Sequence, residues 1–105
     1  MEILHIVTHM GGGVGRAISD LILNDTEHRH ILVLLQSPEK MQFVNMCKKA
    51  GIPVIIGIEY PELYKLLNSV DIVIIHWWHH PVMCKFLYEL KSEETRMILW
   101  CHVSG

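Results

Sequence analysis

The chain has 105 residues, half of them hydrophobic, with a formal net charge of −2 and an isoelectric point near 6.4. That length allows one domain with its own core, and that charge leaves no basic footprint for nucleic acid. Three cysteines, Cys47, Cys84 and Cys101, are an odd number without a C-x-x-C pair, which argues against a disulfide framework and suits buried thiols in a reducing compartment.

The elements alternate along the chain. A first strand is expected at Ile3–Thr8, then a glycine-rich turn, then a helix over Val14–Asn24. Val14, Ala17, Ile18, Leu21 and Ile22 fall on one face of that helix. A second strand covers His30–Leu35. Ser37-Pro38 offers a cap and a first-turn proline for a second helix, which runs to Ala50 and is closed by Gly51. Pro53–Ile56 is a third strand and Pro61–Asn68 a short third helix. Asp71–His76 is a fourth strand, Pro81 to about Lys91 a fourth helix, and Met97–Cys101 a fifth strand. Unbroken apolar strands alternating with helices predict an α/β fold: a doubly wound parallel sheet in three layers. Right-handed crossovers then favour the order 3-2-1-4-5.

That order places a switch point between the first and fourth strands, where ligands bind at the carboxyl ends. Three unusual segments end there: His9 with the glycines, His76-Trp77-Trp78-His79-His80, and Cys101-His102-Val103-Ser104-Gly105. The glycine turn, Gly11-Gly12-Gly13-Val14-Gly15-Arg16, brings bare backbone N–H groups to a helix start, which suits an anion. It is neither a dinucleotide fingerprint, since Arg16 stands where the third glycine belongs, nor a Walker A loop, since no Gly-Lys-Ser/Thr follows. Gly11, Gly12, Gly13, Gly15 and Arg16 are therefore candidate substrate-binding residues.

Eight histidines are many for this length, and five fall at the three strand ends. Their spacing does not suit zinc, so no metal is expected. His76 and His102 are candidate ligand contacts, because a neutral imidazole both donates and accepts. His5, in mid-strand, and His28 and His30, beside the second strand, are expected to be structural. No G-x-S-x-G elbow accompanies Ser104, and a phosphoreceiver would need carboxylates where His9 and Gly57 stand.

With these motifs placed, the chain resembles the amino-terminal Rossmann-like domain of a GT-B fold glycosyltransferase of the GT4 (glycosyl transferase group 1) family. Ile3–Val7, the glycine turn, Asp71–His76 and Trp100–Gly105 carry the resemblance. It implies an incomplete amino-terminal half (residues 1–105) of a two-domain enzyme, supplying the acceptor side of the cleft and inactive alone. The implied ligands are a nucleotide-sugar donor and a sugar acceptor, without a resident cofactor. By the same resemblance, Gly12 and Gly13 approach the donor diphosphate and His102 is the catalytic residue that reaches the transferred sugar. The partner is the missing carboxy-terminal domain, with peripheral membrane association open to the full enzyme. Gly15-Arg16 depart from the family's Gly-Gly-x-Glu-Arg/Lys pattern. Two alternatives stay open: a free-standing anion- or nucleotide-binding regulatory domain, and half of a nucleotide-sugar epimerase. A cytoplasmic location is expected, since Met1-Glu2 does not open a secretory signal and no uncharged apolar stretch approaches ~18 residues. Self-association is expected through the Met97–Trp100 edge.

Overall fold

The computed structural model describes residues 1–78, 80–90 and 96–102. Its elements are β1 (Glu2–Val7), α1 (Gly12–Asn24), β2 (Arg29–Leu34), α2 (Gln42–Lys49), β3 (Val54–Ile56), α3 (Tyr60–Ser69), β4 (Ile72–Trp77), α4 (Pro81–Glu89) and β5 (Met97–Cys101). The five strands form one sheet in the order β3-β2-β1-β4-β5, and every pairing is parallel. The expected order and fold class are those observed. No helix among the described residues is long and apolar enough to cross a membrane.

The strands sort their side chains by parity. Leu4, Ile6, Val33, Val73 and Ile75 pack with Leu63 and Leu67 of α3 and Met83 and Phe86 of α4. Val7, Leu32 and Leu34 pack with Ile18 and Ile22 of α1 and Val44 and Cys47 of α2. Helices therefore lie on both faces, as a parallel sheet requires. The β4–β5 half differs. Ile98 and Trp100 share a face with Ile74 and His76, on the α1 side, and they are half-exposed, as is Leu99 on the other face.

α2 begins at Gln42 with Met41 as its N-cap, not at Ser37-Pro38. The chain stays extended beyond β2, because Leu35 and Gln36 donate their N–H groups to the carbonyls of Val7 and Thr8. Ser37 precedes a proline, which further disfavours helix there. The helix end follows the glycine signal. Gly51 has φ +82°, its N–H bonds the Lys48 carbonyl, and the Ile52 N–H bonds the Cys47 carbonyl. This pair of bonds is a Schellman closure. α1 starts earlier than expected, so Gly12 and Gly13 form its first turn, not a loop. The expected end of the fourth helix near Lys91 lies outside the described residues. Of the three thiols only Cys47 is buried; Cys84 and Cys101 are exposed. Cys101 belongs to β5, an edge strand that among the described residues pairs only with β4, so burial fails there.

Candidate active site

A cavity of about 460 Å³ opens at the carboxyl ends of β1, β2 and β4, lined by His9, Gly11, Gln36, Glu39, Lys40 and His80. It lies beside the β1–β4 switch point, where open α/β sheets bind ligands. The loop after β1 contributes His9 and Gly11, and the extended segment before α2 contributes Gln36, Glu39 and Lys40. His80 caps α4 by accepting the Val82 N–H at 3.1 Å through Nδ1. His9 accepts the Gly11 N–H through Nδ1 at 3.2 Å. With Nδ1 accepting, the proton of each neutral ring belongs on Nε2, a donor.

The two rings stand edge to face, 5.6 Å between centroids, and His9 also meets Trp78 edge-on at 5.2 Å. Desolvation, reinforced by His80, lowers the His9 pKa against the opposing pull of Glu39. Gly11 caps α1 in extended geometry without a side-chain hydrogen bond, and the first turn carries no acidic residue. The positive end of α1 is thus uncompensated by any side chain there.

The glycines of the turn differ. A side chain on Gly13 would meet nothing, whereas one on Gly15 would collide with the Met10 carbonyl and approach Phe43. Gly15 is buried and Gly13 exposed. Gly15 therefore serves close packing and Gly13 leaves backbone accessible, whereas the Gly11 N–H is already bonded to His9. Arg16 is exposed and is not part of the cavity wall. Thr8, at the end of β1, is fully buried, and its Oγ1 has no hydrogen-bond partner among the described residues.

His76 and His102 lie elsewhere, in a chain of imidazoles that crosses the sheet. Asp25 Oδ2 is 2.8 Å from His30 Nε2. His30 Nδ1 is 2.8 Å from His5 Nε2. His5 Nδ1 is 2.9 Å from His76 Nε2, and His76 Nδ1 is 2.9 Å from His102 Nε2. Successive ring centroids are 5.0 to 5.1 Å apart. With nitrogens this close at that separation, the rings meet edge to edge.

The pleat explains the line. His30 pairs in register with Ile3, two residues before His5. His5 pairs with Ile74, two before His76. His76 pairs with Trp100, two before His102. Each step keeps the same sheet face and climbs two residues toward the carboxyl ends.

His5 and His76 are fully buried and His30 nearly so. Desolvation, then the neighbouring His30, lowers the His5 pKa to about 3 against Asp25. Desolvation and the adjacent His5 and His102 push His76 strongly down as well. His102 is lowered by desolvation. Asp25 is held well below the usual carboxylate range, first by the Glu27 N–H and then by His28.

Both ring nitrogens of His76 are bonded, so it reaches a ligand only through His102. His102 donates its backbone N–H to the Trp77 carbonyl at 2.7 Å and stacks in parallel on Trp100. Its Nδ1 has no partner among the described residues. The expected convergence of the glycine turn and His102 on one crevice is not seen within this cavity, which His102 does not line. His79 and residues 103–105 lie outside the described residues.

Lys40 was not singled out by sequence, whereas His9 and His80 were marked as histidines at the strand ends without an assigned role. Compared with protein-family models, curated proteins and solved structures, the chain finds no match.

Proposed function

We propose that this chain is the amino-terminal, acceptor-side half of a two-domain glycosyltransferase that takes its sugar from a nucleotide-sugar donor. The observation that carries the reading is the switch-point cavity. Its wall combines the glycine turn entering an uncapped α1 with two imidazoles that accept backbone N–H groups through Nδ1. Uncapped amides and imidazole N–H groups suit a diphosphate, because both present donors to anionic oxygens. Gln36, Glu39 and Lys40, which also line the cavity, supply both donors and acceptors, as sugar hydroxyls require. In this reading Gly12 and Gly13 approach the donor diphosphate, and His102 serves the transferred sugar when a second domain closes the cleft.

The test is amide chemical-shift mapping of the labelled chain with a panel of uridine-, guanosine- and adenosine-diphosphate sugars. Weak, saturable shifts at Gly11, Gly13, Lys40 and His80 are expected with one donor class. Absence of shifts across the panel overturns the proposal.

A further inference from the structure

The geometry points to a proton relay: Asp25, His30, His5 and His76 set His102 Nδ1 as a lone-pair acceptor for the O–H of a bound hydroxyl ligand and carry that proton across the sheet to His30. This goes beyond the sugar-transfer reading and does not rest on it.

The hydrogen-bond inventory gives the chain one direction. A carboxylate only accepts, so His30 must donate Nε2–H to Asp25 across their 2.8 Å contact. Neutral His30 is then left with an acceptor at Nδ1, which His5 Nε2–H fills. The same logic makes His76 Nε2–H donate to His5 Nδ1 and His102 Nε2–H donate to His76 Nδ1. Four rings therefore share one tautomer, and the lone pair left over is His102 Nδ1. Asp25 is itself fixed, since its Oδ1 accepts the Glu27 N–H at 3.0 Å and its Oδ2 faces His28 at 2.8 Å.

The ligand O–H bond breaks as its proton bonds His102 Nδ1. The His102 Nε2 proton moves to His76 Nδ1, the His76 Nε2 proton to His5 Nδ1, and the His5 Nε2 proton to His30 Nδ1. His102, His76 and His5 end neutral, each with its proton on Nδ1. His30 alone becomes imidazolium, 2.8 Å from the Asp25 carboxylate. The ligand keeps the electron pair as an alkoxide-like oxygen, and the reverse sequence returns the proton.

Burial opposes a resident cation at His5 or His76, so the shift is concerted and the charge settles where a carboxylate waits. The titratable groups beside the receiving end are Asp25 and His28; the aromatic ring against the entry end is Trp100.

The experiment is long-range proton–nitrogen correlation of the full chain labelled with 15N-histidine, which distinguishes the two tautomers from the cation at each ring. At neutral pH all four rings are expected as Nε2–H. On acidification within the folded range, His5, His76 and His102 pass together to Nδ1–H at one midpoint.

Asp25→Asn supplies a second readout. Its carbonyl keeps the Glu27 N–H, so its NH2 faces His30, and the whole line inverts to Nδ1–H as far as His102. An Nδ1–H tautomer at any of the four rings in the native chain at neutral pH overturns the relay. So does acidification that makes His102 the cation while the other rings stay unchanged, or an Asp25→Asn chain whose His102 keeps Nε2–H. None of these outcomes depends on a donor sugar, so failure of the relay and failure of the transferase reading are separable.

Discussion

His5 Nδ1 and His76 Nε2 lie 2.9 Å apart in the buried sheet, on strands whose register aligns His5 with Ile74. Two neutral imidazoles satisfy each other there, one donating and one accepting. A cation on either ring would stand in the interior beside another ring already committed to its neighbours.

Stability should therefore depend on acid. In the unfolded chain these histidines protonate near their ordinary value of 6.5, whereas the folded chain holds His5 neutral to about 3 and His76 lower still. Between those limits the unfolded state binds more protons, so stability is full above about pH 6.5 and falls as pH drops. The slope is about 1.4 kcal/mol per pH unit for each histidine. Asp25, held below its ordinary value, adds loss of the same sign further down. Urea unfolding at pH 7, 6, 5 and 4 reads this directly. A midpoint unchanged from pH 7 to pH 5 would count against two buried neutral rings.

The glycines of the first α1 turn should separate by role. Gly15→Ala places a methyl group against the Met10 carbonyl and the Phe43 ring. The helix start must shift, and a loss of about 1–3 kcal/mol is expected, as for other overpacked sites. Gly13→Ala meets no neighbour and removes a flexible residue from a helix, for a gain of up to about 1 kcal/mol. Thermal melts of both variants decide the matter. Equal destabilisation would mean that the turn is packed throughout and has no accessible backbone at Gly13.

The fold was legible because its strands are apolar runs with turn signals between them. The order followed from handedness, and β5 occupies the expected Met97–Cys101. The start of α2 was not legible, since Ser37-Pro38 carries a sound cap signal that continued pairing with β1 overrides.

At the site, the strand ends pointed to the cavity, and the glycine run to the α1 start. The imidazole line escaped notice because positions 5, 30, 76 and 102 share no sequence period. Their relation lies in a two-residue stagger across neighbouring strands, and that exists only once register is known. Asp25 escaped for the same reason. In sequence it is an ordinary acid after a helix, and its two histidine partners make it the anchor of the line.

Thr8 offers an independent probe of the carboxyl end of β1. Its hydroxyl is buried without a partner among the described residues, a state that costs about 1–3 kcal/mol relative to a satisfied group. Thr8→Val replaces that hydroxyl with a methyl of similar shape and should raise stability by about 1 kcal/mol. A loss of similar size in denaturant unfolding would show that the hydroxyl is satisfied in solution.

Among the described residues β5 pairs with β4 along one side only, and Ile98, Leu99 and Trp100 are 50%, 53% and 41% exposed. An edge strand with free backbone groups and large apolar side chains is a template for a second chain. The chain should therefore self-associate as its concentration rises. Trp100 is a poor place to interrupt this, because it stacks on His102 and packs against His76. Ile98 has neither contact, so Ile98→Lys places a charge on the exposed face and leaves the imidazole line intact. Sedimentation velocity across a concentration series should show a rising weight-average mass for the native chain and a constant monomer mass for Ile98→Lys. A native chain that stays monomeric at the highest concentration rules out association through this edge. Equal association of both chains places the contact elsewhere.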